Sequence, residues 1–273
     1  MRRILTTCFL IVAGCAGSVR AQAPALINDE YRFPFWSDGD VGGPGPFHFG
    51  YRTGFVITNP NDELMTVDLV LYDSDGGIAN LPLSDGQVRQ RLVRPHATIN
   101  ITTPALWQSP QHFGQVRANG NFPFLISVQV ELVRIQDPAI APTNLDPRIS
   151  VMRMEASRTP VTVFISWERS ATTDTAFIFS NTSSEKKSGL ITAYSGLMQG
   201  GLSVTEVTVP ANGTIITTIS DFNNSFSPVV FPAEARNQGV LKVQFGAGTV
   251  MSTGVVFRTV QDPIVMPAAI ASQ

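Results

Sequence analysis

The chain of 273 residues has two cysteines, Cys8 and Cys15, and both lie in its first 15 residues. A mature chain that starts near Pro24 has none. Such a chain builds its fold without a disulfide, even in an oxidising compartment, and it has no cysteine nucleophile or thiolate metal site. Histidine is scarce as well, with only His48, His96 and His112. A zinc site needs several converging ligands, and no His-x-x-x-His or similar pair occurs. These three read as exposed loop histidines. Charged residues make up only 15% of the chain. No Gly-x-Ser-x-Gly elbow and no phosphate-binding Gly-rich loop before a helix is present, and no stretch sustains an i, i+3, i+4 apolar pattern. Beyond the N-terminal segment, no apolar run approaches the ~18 residues that a membrane-spanning helix needs.

The N-terminus has the form of an export signal. Arg2 and Arg3 precede the apolar run Ile4–Gly14, which is too short to span a bilayer. Two exits compete. Ala21-Gln22-Ala23 has the small-x-small pattern of a signal peptidase site, and "SVRAQA" forms the c-region before it. Val12-Ala13-Gly14-Cys15 resembles a bacterial lipobox, which would make Cys15 a lipidated N-terminus and anchor the chain at the outer membrane or in the periplasm. Both styles point to a bacterium. Losing Arg2, Arg3 and Arg20 takes the formal net charge from −2 to about −5. A mildly acidic chain lacks the basic stripe of a general nucleic-acid binder.

What is abundant is glycine and proline, 22 and 19 residues. With few charges and no helical periodicity, that composition favours a loop-rich all-β protein. The chain also repeats itself. "GFVITN" and "AFIFSN" place Phe55 and Phe177, and Asn59 and Asn181, 122 residues apart, and Tyr72 and Tyr194 share that offset. Pro95 and Pro210, each opening a Thr/Ile-rich run, are 115 apart, whereas Gly114 and Gly239 are 125 apart. The "QDP" tags at Gln136-Asp137-Pro138 and Gln261-Asp262-Pro263 also differ by 125. One order of landmarks thus appears twice. Each copy reads as about seven short strands separated by turn signals. The expectation is two tandem antiparallel immunoglobulin-like β-sandwiches, at residues 31–138 and 149–273. They follow a signal peptide (1–23) and a tether (24–30), and a Pro-rich linker (139–148) joins them as a rod-like or bent pair without a fused core. Short helical turns are expected at Pro104–Trp107 and Pro232–Arg236.

The stretch "FPFW…G…YRTGFVITNPN…VDLVLYDSDGG…VRPHATINI…GQVRANG…ISVQVEL" resembles a module that recurs in secreted proteins of environmental bacteria. The resemblance covers residues 31–138 and, more weakly, 161–263, and it implies immunoglobulin-like sandwiches with no assigned chemistry. The second copy departs from it: Thr182 replaces the proline after the asparagine, and "GLMQGG" replaces the acidic turn.

Three candidate sites follow. The acidic turns Asp38-Gly-Asp40 and Asp73-Ser-Asp75 offer oxygens to calcium, although neither completes a calcium loop with a distal Glu. Most Asp-Gly pairs are hairpin turns instead. The spacing from Trp36 to Thr53 exceeds that from Trp167 to Thr175 by nine residues, so the first unit carries an insertion within 37–51. Its Phe47, Phe49 and Tyr51, with Trp107, form a candidate aromatic surface for a sugar or a protein partner. The competing reading is that these three alternate along a strand and point inward. Trp36 and Trp167, matched between units, are expected in the cores. A glycosidase would need two carboxylates facing one cleft, and the facing of Asp38, Asp40 and Glu63 is not legible here. The expected function is a non-catalytic structural, adhesive or binding protein outside the cell or at its surface, without a catalytic cofactor. Its partner would be a protein or polysaccharide of the envelope. The alternatives are a carbohydrate-binding accessory protein using loop 37–51, and a hydrolase whose site the sequence does not reveal.

Overall fold

The computed structural model describes residues 28–43, 46–140, 148–156, 159–195, 201–219, 237–258, 265–267 and 270–272. The expected leader with Cys15, the turn at 232–236 and the second "QDP" tag lie outside them. The described fold is all-β and antiparallel, with one short 3-10 turn.

The first half contains β1 (Asn28–Gly42), β2 (Phe47–Thr58), β3 (Met65–Asp73), β4 (Gln90–Val93), β5 (Thr98–Thr102), β6 (His112–Gln136) and β7 (Arg148–Met154). Two layers form because β6 changes sheets part-way along. Its first part, to Gly120, lies between β1 and β3. Its second part, from Leu125, lies beside β2, with β7 on its other side. The bend falls in "NGNFP". A side chain at Gly120 would meet the Phe122 carbonyl at 2.7 Å, and Pro123 has no N–H to continue a ladder. Strands that switch sheets at such bends make the corners of sandwiches.

The second half contains β8 (Thr162–Arg169), β9 (Thr173–Asn181), β10 (Lys187–Ser195), β11 (Gly201–Val209), β12 (Thr214–Thr218), β13 (Asn237–Phe245), β14 (Val250–Arg258), β15 (Val265–Pro267) and β16 (Ile270–Ser272). Its sheets run β11-β10-β13-β8-β16 and β12-β9-β14-β15. With β6 read as its two parts, the first half has the same order, β4-β3-β6-β1 and β5-β2-β6-β7. The 3-10 turn Gly246–Gly248 separates β13 from β14 where β6 runs on unbroken.

Register confirms that the copies are equivalent. Trp36 pairs with Gly114 and Tyr72 with Gln115, just as Trp167 pairs with Gly239 and Tyr194 with Val240. A Cβ on Gly114 would lie 1.8 Å from the Tyr72 carbonyl, and one on Gly239 1.9 Å from that of Tyr194. No larger residue fits either place. Trp36 and Trp167 are buried as expected, each in its own apolar cluster with Phe55 or with Phe177 and Phe179. Alternation along the strands selects these inward faces.

Two polar staples also repeat. The Thr53 hydroxyl donates to the Ser37 carbonyl (2.8 Å) and accepts from the Ser37 N–H (2.9 Å). Thr175 does the same to Glu168, at 2.9 and 3.0 Å. Asn59 Nδ2 donates to the carbonyls of Glu63 and Val93 at 2.8 and 3.0 Å, and its Oδ1 accepts from the Asn61 N–H at 2.9 Å. Asn181 Nδ2 donates to Glu185 and Pro210 at 2.7 and 2.9 Å, and its Oδ1 accepts from the Ser183 N–H at 2.9 Å. The asparagine therefore ties its own turn to the neighbouring one. In that neighbouring turn, Ala97 N–H donates to the Arg94 carbonyl and Gly213 N–H to the Pro210 carbonyl. Pro210 thus corresponds to Arg94, one place before the proline with which the sequence matched it.

Two expectations about the junction need correcting. The strand β7, whose residues 149–154 were expected to open the second unit, pairs with β6 and buries Met152 and Met154 in the first core. Its alternating apolar residues need a sheet face, and the open edge of β6 supplies one. The units also touch directly. Ile178 and Val255 join the first apolar cluster. Gln115, 2% exposed, donates from Nε2 to the carbonyls of Asn181 (2.5 Å) and Asn212 (2.7 Å). The Ser180 hydroxyl donates to the Pro34 carbonyl, and the Thr214 N–H to the Ser74 carbonyl at 3.0 Å. The expected pair without a shared core is replaced by a packed junction.

Candidate functional site

The insertion in 37–51 extends the β1–β2 hairpin. Gly39 pairs with Tyr51 and Asp40 with Gly50, and a bulge precedes the pairing of Gly42 with Phe49. In the second unit the equivalent turn is closed at once by the Ser170 N–H donating to the Thr173 carbonyl (2.8 Å). The extended hairpin packs on the loop 103–111, which the sequence did not connect with it.

Two carboxylates hold that loop. Asp38, 1% exposed, accepts from the Ala105 N–H at 2.8 Å. Asp40 Oδ2 accepts from the Gln108 N–H at 2.7 Å and meets His48 Nδ1 at 2.7 Å, while its Oδ1 accepts from the Gly42 N–H at 2.7 Å. The two acids sit in opposite electrostatic situations. Burial pushes the Asp38 carboxyl up, against hydrogen bonds from Thr103 and Ala105 and the charge of His112. Burial is also the largest single influence on Asp40, yet His48, Gly42 and Gln108 together outweigh it and hold that carboxyl below its ordinary value.

Between the two anchors the backbone is strained. Ala105 and Gln108 have φ of 47° and 54°, the left-handed region that non-glycine residues rarely enter. The helical turn expected at Pro104–Trp107 is therefore absent; a left-handed Ala105 cannot begin a right-handed helix. The strained segment carries Leu106, 60% exposed, and half-buried Trp107. The Trp107 indole stacks on His48 with centroids 3.8 Å apart and planes 22° from parallel. Asp40, His48 and Trp107 thus form a stack from a buried carboxylate to a surface indole.

The other candidate residues are placed as follows. Phe47, Phe49 and Tyr51 share the strand parity of Phe55 and Ile57, but all three are half-buried, because the hairpin runs past the end of the core. Tyr51 packs on the core, and Arg134 lies over the Phe47 ring at 5.7 Å. Of the four candidate aromatics, Trp107 alone meets the Asp40–His48 pair. His48 is not the exposed loop residue expected; its side chain is 18% exposed, because it lies within β2 beneath an indole. His96 is an exposed turn residue near Asp62, and His112 stands 3.5 Å from Asp73.

The turn Asp73–Asp75 is built into the junction. Asp75 Oδ1 accepts from the Gly77 N–H at 2.9 Å, and a Cβ on Gly76 would lie 1.8 Å from the Ala211 carbonyl of the second unit. Burial, then the neighbouring charge of Asp75, push Asp73 up, while His112 opposes them. Among the described residues no three His, Cys, Asp or Glu side chains come together as a metal-ligating group. Sequence reasoning missed His48 as the backing of Trp107, and missed Gln115 altogether. Thr53 and Thr175 had a signal, the same offset of 122 as Asn59 and Asn181. Gln115 had none, since its partners lie in the other unit.

No protein-family model matches the chain, and no curated protein matches it. Solved structures similar to it include a lectin from Pleurotus ostreatus in complex with GalNAc, at 12% identity and a TM-score of 0.13. An apo form of a Pleurotus ostreatus lectin scores 0.14, also at 12% identity. Each comparison covers 91% of this chain and 77% of the other. At these scores the similarity carries no argument about fold or ligand.

Proposed function

We propose that this is an exported, non-catalytic binding protein of two tandem immunoglobulin-like sandwiches, acting at the cell surface or outside the cell through the hairpin 37–51 and the loop 103–111. The observation that carries the reading is the strained segment Ala105–Gln108, held at both ends by buried carboxylates so that Leu106 and Trp107 stand at the surface. Two left-handed non-glycine residues cost stability, and strain of this kind collects at binding sites and switches. A binding role is also supported by the use of the acids: Asp38 and Asp40 accept from backbone N–H groups and His48, which makes them loop anchors rather than a general acid and base facing a cleft. Loops at sandwich ends are where such folds commonly bind.

The test is retention of the protein on cell-envelope fractions. Leu106→Arg places charge next to the indole, Val41→Arg places it on the exposed hairpin beside Asp40, and Val204→Arg places it on an exposed strand of the second unit. Loss of retention in the first two variants and not in the third supports the reading. Retention that all three variants keep would move the binding surface elsewhere and sink it.

A further inference from the structure

We infer that the Trp107 platform takes a neutral saccharide, a hexopyranose ring of an uncharged glycan stacked on the indole. This rests on the reading of loop 103–111 as a binding surface and names its ligand class. The first argument is placement. Trp36 and Trp167 are 0% and 2% exposed, whereas Trp107 belongs to neither apolar core and is flanked by exposed Leu106 and Gln108. One side of its ring is occupied by His48 at 3.8 Å, so the indole is held from behind and cannot fold onto the protein. An indole fixed in advance loses little conformational entropy when a ring stacks on it.

The second argument is charge. The carboxylates at the platform are withdrawn from solvent, and its two histidines already face carboxylates, His48 against Asp40 and the 42% exposed His112 at 3.5 Å from Asp73. The Asp40 side chain is 4% exposed and engages His48, and Asp38 is 1% exposed. The exposed polar side chains beside them are the amides of Gln108 and Gln111. A phosphate or an acidic glycan would find only histidines that already face carboxylates, and a cationic peptide only carboxylates that are buried. An apolar partner surface would leave the amides without partners. A pyranose ring has one apolar C–H face for the indole and a rim of hydroxyls that both accept from and donate to amides.

The experiment is a fluorescence titration of the full chain with soluble neutral oligosaccharides, namely cello-, manno-, laminari- and N-acetylchito-oligomers, with oligogalacturonate as the acidic comparison. N-bromosuccinimide oxidation runs beside it. Because two of the three tryptophans are buried, oxidation of the wild type should consume Trp107 first, and a bound oligomer should protect it. The expected result is a shift in emission with at least one neutral oligomer and none with oligogalacturonate. Trp107→Ala should weaken that binding by about tenfold or more. Trp107→Tyr, which keeps an aromatic face, should retain part of the affinity. His48→Ala should weaken it less than Trp107→Ala, by freeing the indole.

The inference is overturned if no neutral oligomer binds, if oligogalacturonate binds best, or if binding persists in Trp107→Ala. Envelope retention separates this failure from that of the parent reading. Retention that depends on Leu106 and Val41 while no saccharide binds would leave the loop a binding surface and remove the sugar.

Discussion

Replacing Asn59 with alanine should destabilise the first unit, and replacing Asn181 should destabilise the second by a similar amount. Each side chain is wholly buried and ties two turns together. Asn59 donates to Glu63 and Val93 and accepts from the Asn61 N–H, with distances between 2.8 and 3.0 Å. Asn181 repeats the set with Glu185, Pro210 and Ser183, between 2.7 and 2.9 Å. Alanine removes these three short hydrogen bonds in each unit, with a longer fourth to the Arg94 carbonyl (3.2 Å) or the Val209 carbonyl (3.5 Å), and leaves their backbone partners without the side chain that satisfied them. At about 1 kcal/mol for each short bond, the loss is about 3 kcal/mol in either unit, or some two powers of ten in the unfolding equilibrium. The assay is urea denaturation followed by fluorescence in a Trp107→Phe background. Trp36 reports on the first unit and Trp167 on the second when the other is replaced by phenylalanine. A loss below about 1 kcal/mol in either variant would refute the hydrogen-bond account. A large loss for Asn59 with a small one for Asn181 would refute the equivalence of the two turns.

Gln115→Ala should cost about 2 kcal/mol through the two carbonyls it leaves unpartnered. It should also separate the Trp36 and Trp167 transitions, and coincident transitions that stay coincident would mean the junction is held by other contacts. Asp38→Asn and Asp40→Asn should act with opposite sign. Asp38 is raised in the folded state, so the stability linked to its protonation is present below the ordinary carboxylate pKa of about 4 and is lost as pH rises through the folded value. The Asp38→Asn variant should match the wild type in acid and gain on it towards neutral pH, as read by thermal melts across the acid range. Asp40 is lowered, so its contribution is present above the ordinary value and is lost as pH falls through the folded one. The Asp40→Asn variant should be less stable than the wild type at neutral pH, with the deficit closing in acid. On the proposal of export, mass spectrometry of the chain produced in a bacterium should give Pro24 as the N-terminal residue, after cleavage behind Ala23; a diacylglycerol on Cys15 would replace that outcome with the lipobox reading, and an intact N-terminus would refute export by either signal.

The sequence by itself determined whatever is local to a strand and its turn. Period-two alternation marks "GFVITN" and "AFIFSN" as core strands, and an asparagine before a turn has its own backbone within reach. Glycine recurs at positions 114 and 239 because a neighbouring carbonyl leaves no room for a Cβ. The repeated order of landmarks therefore carried the all-β class, the twofold repeat and the burial of Trp36 and Trp167. Only the tertiary structure decided what depends on where distant backbone ends up. The switch of β6 between layers is set by which strands stand on each side of it. The capture of Met152 and Met154 by the first sheet needs the free edge of β6, which no local pattern reveals. Gln115 reads as an ordinary polar strand residue until the second unit's carbonyls lie over it. His48 reads as a loop histidine until the hairpin brings Asp40 to one side of it and Trp107 to the other. Apart from Asp40 and His48, which meet within one hairpin, these pairings join residues far apart in the chain, and the sequence specifies them only through the whole fold.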